Sequence, residues 1–548
     1  MRHDLLILFF ILLSSALMAD EHSNEAPSFK VQGIVTDEKG EGLPGASVWV
    51  KGTVVGAGTN AKGEFSFKLS SKNRCVLRVS FTGYEPQERE VTPGVDSLYH
   101  FVLEPSNNAL NEVVITGTRT LKPLKDVPVL TRVISSEDIA QVNPLDLQSL
   151  LEYEMPGLQF GLAHGSGLPE LKFQGSAGGY VLFMIDGERV AGEGSSNNID
   201  YNLIDMDNVE RIEIVKGPMS TLYGSQAMGG VVNIITKDAN RPFTGNVSVR
   251  YGNNDESKYS LSLGTKQGRF SALTSLSYRK RDAYALKDKE GQIEYSYYKD
   301  IYGRDSVVAD TSEKGMSSVN GFEIWQANQK LSYTFNENFR ISLNGTYYNN
   351  DVLEYVEQKE QDRFSNYSIN PRVYYAINDS HILDFSYVFE NYEKRYVYTT
   401  SLPSKKVFGD LTNTVRLNYT GYIHEKHTLT AGIEVNTQKL QHYWFDNGSG
   451  KKFDAQTYVL YLQEDYKVSD SFSVLAGVRS DCHSKYGFHA SPKISLMYKY
   501  GVLTLRGGYG MGFRIPSLKE LHSEYDMGGQ GFFMIYGNED LEPEISHQ

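Results

Sequence analysis

From residue 243 onward the chain alternates apolar and polar residues with a period of two. Across 340–347, Ile341, Leu343, Gly345 and Tyr347 take one face, and Arg340, Ser342, Asn344 and Thr346 take the other. Leu429, Ala431, Ile433 and Val435 repeat the pattern against Thr428, Thr430, Gly432, Glu434 and Asn436. So do Val415/Leu417/Tyr419 and Leu503/Leu505/Gly507/Tyr509. Successive side chains of a strand point to opposite faces, so each of these strands has one greasy and one polar face. A soluble sandwich would bury the greasy face against a second sheet. A transmembrane barrel turns it to lipid and keeps the polar face inside. The connections favour the barrel. Short turns at 336–338, 378–380, 424–426, 469–471 and 499–501 alternate with long connections near 282–322, 350–366, 396–410, 441–455 and from 514 onward. Short periplasmic turns and long outer loops are the plan of an antiparallel transmembrane β-barrel, here expected over 243–548.

The rest of the chain agrees with a secreted, mainly β protein. Residues 1–19 carry Arg2 and an apolar run from Leu5 to Leu13 ending in small residues, the pattern of a signal peptide cleaved after Ala19 or Ala16. No later run of 18 apolar residues exists, so helical membrane spans are not expected. A net charge of −13 argues against a general nucleic-acid binder, which needs a basic face. Cys75 and Cys482 fall in different expected domains, so no disulfide framework is implied.

Residues 29–105 read as about seven short strands punctuated by Gly40, Gly42, Pro44-Gly45 and Gly63, a small β-sandwich. In 110–120, Val113, Val114 and Ile115 form a short β-branched run with no partner strand in its own neighbourhood. Such a segment suits edge addition to another protein's sheet. An α+β domain is expected over 127–237. Thr131 opens a strand, Asn143-Pro144 starts a helix with Leu147, Leu150 and Leu151 as its buried stripe, and Asp186-Gly187 closes a hairpin. Two further β-branched strands cover 211–215 and 231–236, with Gly217-Pro218 opening a short helical turn between them.

Three motifs in this domain, VLFMIDGERV, VERIEIVKGP and LYGSQAMGGVVNIITK, resemble the plug domain of TonB-dependent outer-membrane transporters. The sandwich resembles the carboxypeptidase regulatory-like domain found ahead of some members. The resemblance implies that Glu112, Val113, Val114, Ile115 and Thr116 are the TonB box, the segment that meets the energy-transducing protein. It also implies a place in the cell outer membrane, among its lipid. The expected partners are the TonB complex, a small-molecule metal chelate and a surface lipoprotein, with no nucleic acid.

The last loop resembles the paired boxes that haem receptors of this family carry. They read Phe513-Arg514-Ile515-Pro516 and Asn538-Glu539-Asp540-Leu541, with Ile and Glu as departures. His522 lies between them, where haem receptors place an iron ligand, and His164 in the glycine-rich loop of the plug is a candidate second ligand. The expected activity is TonB-dependent import of haem or an iron siderophore, with cobalamin as an alternative cargo. A receptor that binds or signals without importing is the alternative of another class. No resident cofactor, metal centre or enzyme is expected. His424-Glu425-Lys426-His427 is one residue short of metalloprotease spacing, and Gly508, Gly510 and Gly512 lie on a strand rather than a phosphate loop. The alternation yields about thirteen strands between residues 243 and 513, whereas the resembled transporters close with 22. The expectation is therefore an incomplete barrel, from a fragment or a disrupted gene.

Overall fold

The structure is a computed structural model that describes residues 29–548 except 52, 54, 61, 70–73, 82–83, 93–97, 105–112, 156–157, 163–168, 174–175, 193–198, 286–293, 300–304, 311–317, 355–359, 399–401, 425 and 527–532. The expected signal peptide, Glu112 and His164 lie outside the described residues.

Among the described residues, the first unit is a two-sheet sandwich of seven strands. One sheet runs Glu64–Leu69, Phe29–Asp37, Tyr99–Leu103, and the other Gly56–Gly58, Ser47–Val50, Cys75–Ser80, Gln87–Val91. Alternation builds it: Phe65 and Phe67 enter a core with Val31, Val35, Val48 and Phe101, while Glu64 and Ser66 stay outside.

The second unit is centred on a five-stranded mixed sheet, ordered Thr131–Ile134, Val209–Lys216, Gly230–Thr236, Val181–Ile185, Glu188–Arg189. Its central strands are covered on both faces. Ile212, Ile214, Val232 and Ile234 pack into one cluster, and Val215, Val231, Leu182 and Met184 into another. That double burial is why these stretches are continuous β-branched runs rather than alternating ones. Asp186 (φ 51°) and Gly187 (φ 83°) make the expected hairpin turn, whose two central residues both need a positive φ.

Two expected helix starts are corrected. Asn143 does not open the second helix. It adopts the left-handed conformation, which asparagine tolerates, and closes the helix Ser136–Val142 that precedes it. Asp146 caps Leu147–Glu154 through the Ser149 N–H, and Leu147, Leu150 and Leu151 are buried as expected. Pro218 likewise stands two residues before the helix Ser220–Tyr223, because Gly217 is still turning the chain at φ 92°.

Among the described residues, the third unit is one antiparallel sheet of fourteen strands. The first thirteen run from Thr244–Tyr251 to Leu503–Arg514, and the last, Glu544–His547, pairs with Leu503–Arg514. Among the described residues, the two outermost strands have one neighbour each in this sheet. The faces are inverted relative to a soluble sheet. Val415, Ile433 and Leu505 stand exposed on the outside, while Thr414, Arg416 and Thr430 are buried on the inner face. Tyr333, Phe335, Phe339 and Tyr375 form a chain of ring contacts at the short-turn end, where amphipathic rings suit a membrane boundary.

Strands extend beyond the expected loop limits. Phe339–Leu353 and Glu360–Asn378 leave residues 354–359 between them, and His381–Tyr398 and Lys405–His424 leave 399–404. At the outer end, Phe472–His483 and Gly487–Tyr500 are joined by a tight turn, so the alternation of short and long connections is not strict. The glycines of the last long strand have a packing reason. A Cβ on Gly510 would lie 2.7 Å from the Pro218 ring, and one on Gly512 would lie 3.1 Å from Met228. Side chains at these positions would crowd the plug where it meets this wall.

Candidate functional site

A cavity of about 260 Å³ lies between the second unit, the inner wall of the sheet and the outer helix Leu518–His522. The hairpin Asp186-Gly187 places Glu188 and Arg189 on its inner side. Lumen-facing positions of the wall supply Arg416, Glu434, Arg479 and Asp481. Outer connections supply His442, Lys485, Lys519 and His522.

The wall charges form a buried lattice. Arg416 spans to Glu188 (2.9 Å) and Glu434 (2.7 Å), and Arg479 reaches Asp481 (2.9 Å) and Glu434 (3.5 Å). Only Glu188 comes from the plug, so Arg416 ties plug to wall. Taking these charges from water is costly, and mutual pairing offsets that cost. Arg189 differs. Its side chain is exposed to the cavity, donates to the Ser225 carbonyl at 3.0 Å, and has no ion pair among the described residues. Desolvation by the surrounding protein lowers its pKa from the ordinary value, but a guanidinium remains charged. It is a cation presented to whatever occupies the cavity.

The outer rim is aromatic and basic. The Trp444 N–H donates to His442 Nδ1 at 3.0 Å, which closes the turn and leaves the neutral ring's proton on Nε2. His442 stacks on Tyr443 and meets Phe408 edge-on, and Lys519 sits 3.7 Å over the Trp444 ring. Burial, reinforced by Lys519 and Lys394, pushes the His442 pKa down to about 2. The folded form is thus neutral where the unfolded form takes up a proton, below about pH 6.5. Acidification should therefore destabilise this loop by up to about 1.4 kcal/mol per pH unit. Trp444 emission should change between pH 7 and 4, and the change should shrink in His442→Gln.

His522 ends the helix Leu518–His522, which Ser517 and Glu520 open with a capping box. Its ring stacks on Phe453 with centroids 3.8 Å apart, and Nδ1 bonds Glu539 at 3.0 Å. Burial lowers its pKa, with Glu539 opposing. A neutral ring donating from Nδ1 to a carboxylate keeps a basic lone pair on Nε2, the arrangement that favours metal ligation. The fold joins the two sequence boxes around this residue. Arg514 pairs with Glu520 (3.0 Å) and Glu544 (2.6 Å), and the Asn538 N–H donates to the Glu520 carbonyl.

Residues 113–116 lie on the plug and apart from that rim. The structure corrects the expectation of a partnerless segment: Val113–Val114 pairs antiparallel with Lys122–Pro123. Val114 and Thr116 are fully buried. Sequence reading missed the Glu188–Arg416–Glu434–Arg479 lattice. Its only sequence signal was charge at lumen-facing positions, which shows a face and no partner.

The profile for the TonB-dependent Receptor Plug Domain matches residues 123–231, and that for the TonB dependent receptor-like beta-barrel matches 274–548. A CarboxypepD_reg-like domain matches 31–115. The chain is 26% identical to the iron-regulated outer membrane virulence protein of Vibrio cholerae, over 79% of this chain and 64% of that protein. It is 25% identical to the ferric enterobactin receptor of Pseudomonas aeruginosa, over 79% and 66%. A crystal structure of that receptor carrying one substitution superposes with a TM-score of 0.62 at 20% identity, covering 76% of this chain and 67% of the other. The chain thus spans a little under two thirds of the length of these curated relatives. The barrel profile covers half of the sequence, and on that match the chain belongs to the TonB-dependent receptors of the outer membrane.

Proposed function

We propose that this chain serves TonB-dependent import of a metal chelate across the outer membrane. The observation that carries the reading is the layout of the plug. It packs against the inner face of the sheet, is tied to that wall by buried ion pairs, and leaves a cavity beneath the outer loops, while the box residues Val113, Val114, Ile115 and Thr116 sit on the plug apart from the rim. Cargo enters from outside, its binding alters how the box is held, and the TonB complex pulls the box from the periplasm. The relatives point to the same class, since one is named a ferric enterobactin receptor and another a vitamin B12 transporter. No covalent chemistry is part of this reading. Uptake of labelled cargo that collapses with the proton gradient separates import from a receptor that only binds or signals.

Haem is the first cargo to test, an iron siderophore the second and cobalamin the third. The support for haem is His522, a neutral imidazole backed by Glu539 and flanked by Phe453. His522→Ala should weaken haem binding and shift the Soret band, with His164→Ala adding to the loss if both contribute. An unchanged spectrum and affinity in the double variant would remove haem ligation by these residues and promote the other cargoes.

A further inference from the structure

Among the described residues, the most completely bonded buried carboxylate of the plug lies outside the cavity. Glu213 is fully buried on the strand Val209–Lys216. The N–H groups of Ile115 and Thr116 donate to its Oε2 at 2.9 and 2.8 Å, and the Thr116 hydroxyl donates at 2.6 Å. The Arg211 guanidinium donates to the other oxygen at 2.9 Å. Asn233 donates its side-chain N–H to the Thr116 hydroxyl at 2.9 Å. Charge-assisted bonds to a buried carboxylate are about twice as strong as neutral ones. The segment is therefore held far more firmly than its two-residue β-ladder alone would hold it.

The same residue is also tied to the cavity. Tyr223 lines it and donates its hydroxyl to the Thr116 carbonyl at 2.9 Å. Burial raises the phenol pKa to about 12, so it stays a donor. The Arg119 guanidinium, which also lines the cavity, lies 4.8 Å from the Tyr223 ring centroid and donates to the Leu222 carbonyl. One side chain thus touches both the cavity and the clamped backbone.

We propose that Tyr223 is a positioning residue that couples occupancy of the cavity to the release of residues 113–116, with Glu213 as the anchor of that latch. This rests on the cavity being the cargo site. Anything that draws Tyr223 toward the cavity takes its hydrogen bond from the Thr116 carbonyl and leaves Thr116 to Glu213 and Asn233.

The test uses the full chain in detergent, with Cys75→Ser and Cys482→Ser removing the native thiols. A Val114→Cys substitution reports release through its rate of maleimide labelling, and Leu150→Cys in the plug core reports general loosening. Tyr223→Phe removes only the hydroxyl and should raise labelling at position 114 about five- to ten-fold, as for one buried hydrogen bond. Glu213→Gln should raise it roughly ten- to a hundred-fold, since it removes charge-assisted bonds. Position 150 should stay slow in both. A rate at 114 that Tyr223→Phe leaves unchanged overturns the proposal, and so does an equal rise at 150. Hemin binding is measured separately, so its absence would count against the cargo reading without altering the labelling result.

Discussion

Replacing Arg416 with methionine should weaken plug–wall docking by about 3–5 kcal/mol, the loss expected when one partner of a buried ion pair is removed. Arg416 is the cation between Glu188 of the plug and Glu434 of the wall, and all three side chains are about one-tenth exposed. Without it, two buried carboxylates face each other with less compensation. Methionine keeps most of the volume, so packing loss contributes little. The plug should unfold at lower urea and become trypsin-sensitive in conditions where the wild-type plug resists. Arg416→Met combined with Glu188→Gln should recover part of the loss, because one stranded charge is gone. A single variant as resistant as the wild type would show that other contacts hold the plug. Lys258 to Asp205 and Lys122 to Asp465 are the first to examine in that case.

The second large effect is on uptake. Proline at Val114 should bring energised uptake down to the level seen without a proton gradient, while cargo binding to whole cells persists. Proline cannot donate a backbone hydrogen bond, and pairing of the box with TonB needs those donors. Each partner group left unsatisfied costs about 1–3 kcal/mol, or roughly five- to 150-fold in affinity. Val114 is fully buried in the resting plug, so the variant also removes packing. Val114→Ala separates the two effects, since it loses the side chain and keeps the N–H. Uptake retained in the alanine variant and lost in the proline variant is the expected pair of results. Normal uptake by Val114→Pro would count against residues 112–116 as the box.

Much of the architecture was legible because period-two patterning reports the face of each residue directly. Ile341, Val415 and Ile433 were assigned outward from alternation, and they are exposed on the outer face. The hairpin at Asp186-Gly187 was legible because few residues accept two successive positive φ values. The start at Asn143 was misread for a related reason: asparagine suits both the opening and the closing of a helix, and only the neighbouring capping box at Ser135 decides between them.

The sequence by itself therefore determined the plan: a sandwich, a plug with a doubly covered sheet, a lipid-facing wall and a box-like segment between the first two. It did so because strand periodicity, turn chemistry and burial on two faces are local properties of a few consecutive residues. Only the tertiary structure decided which charges meet. Arg416 and Glu188 stand 228 residues apart, and Thr116 and Glu213 stand 97 apart. Alternation says that Arg416 points into the lumen, but not which plug loop arrives there, because that depends on the register of every strand around the wall. The same holds for His442, whose neutrality comes from the aromatic rings and lysines that distant strands and the outer helix bring to it. Desolvation and ion pairing depend on what folding gathers around a group, and sequence spacing does not record that.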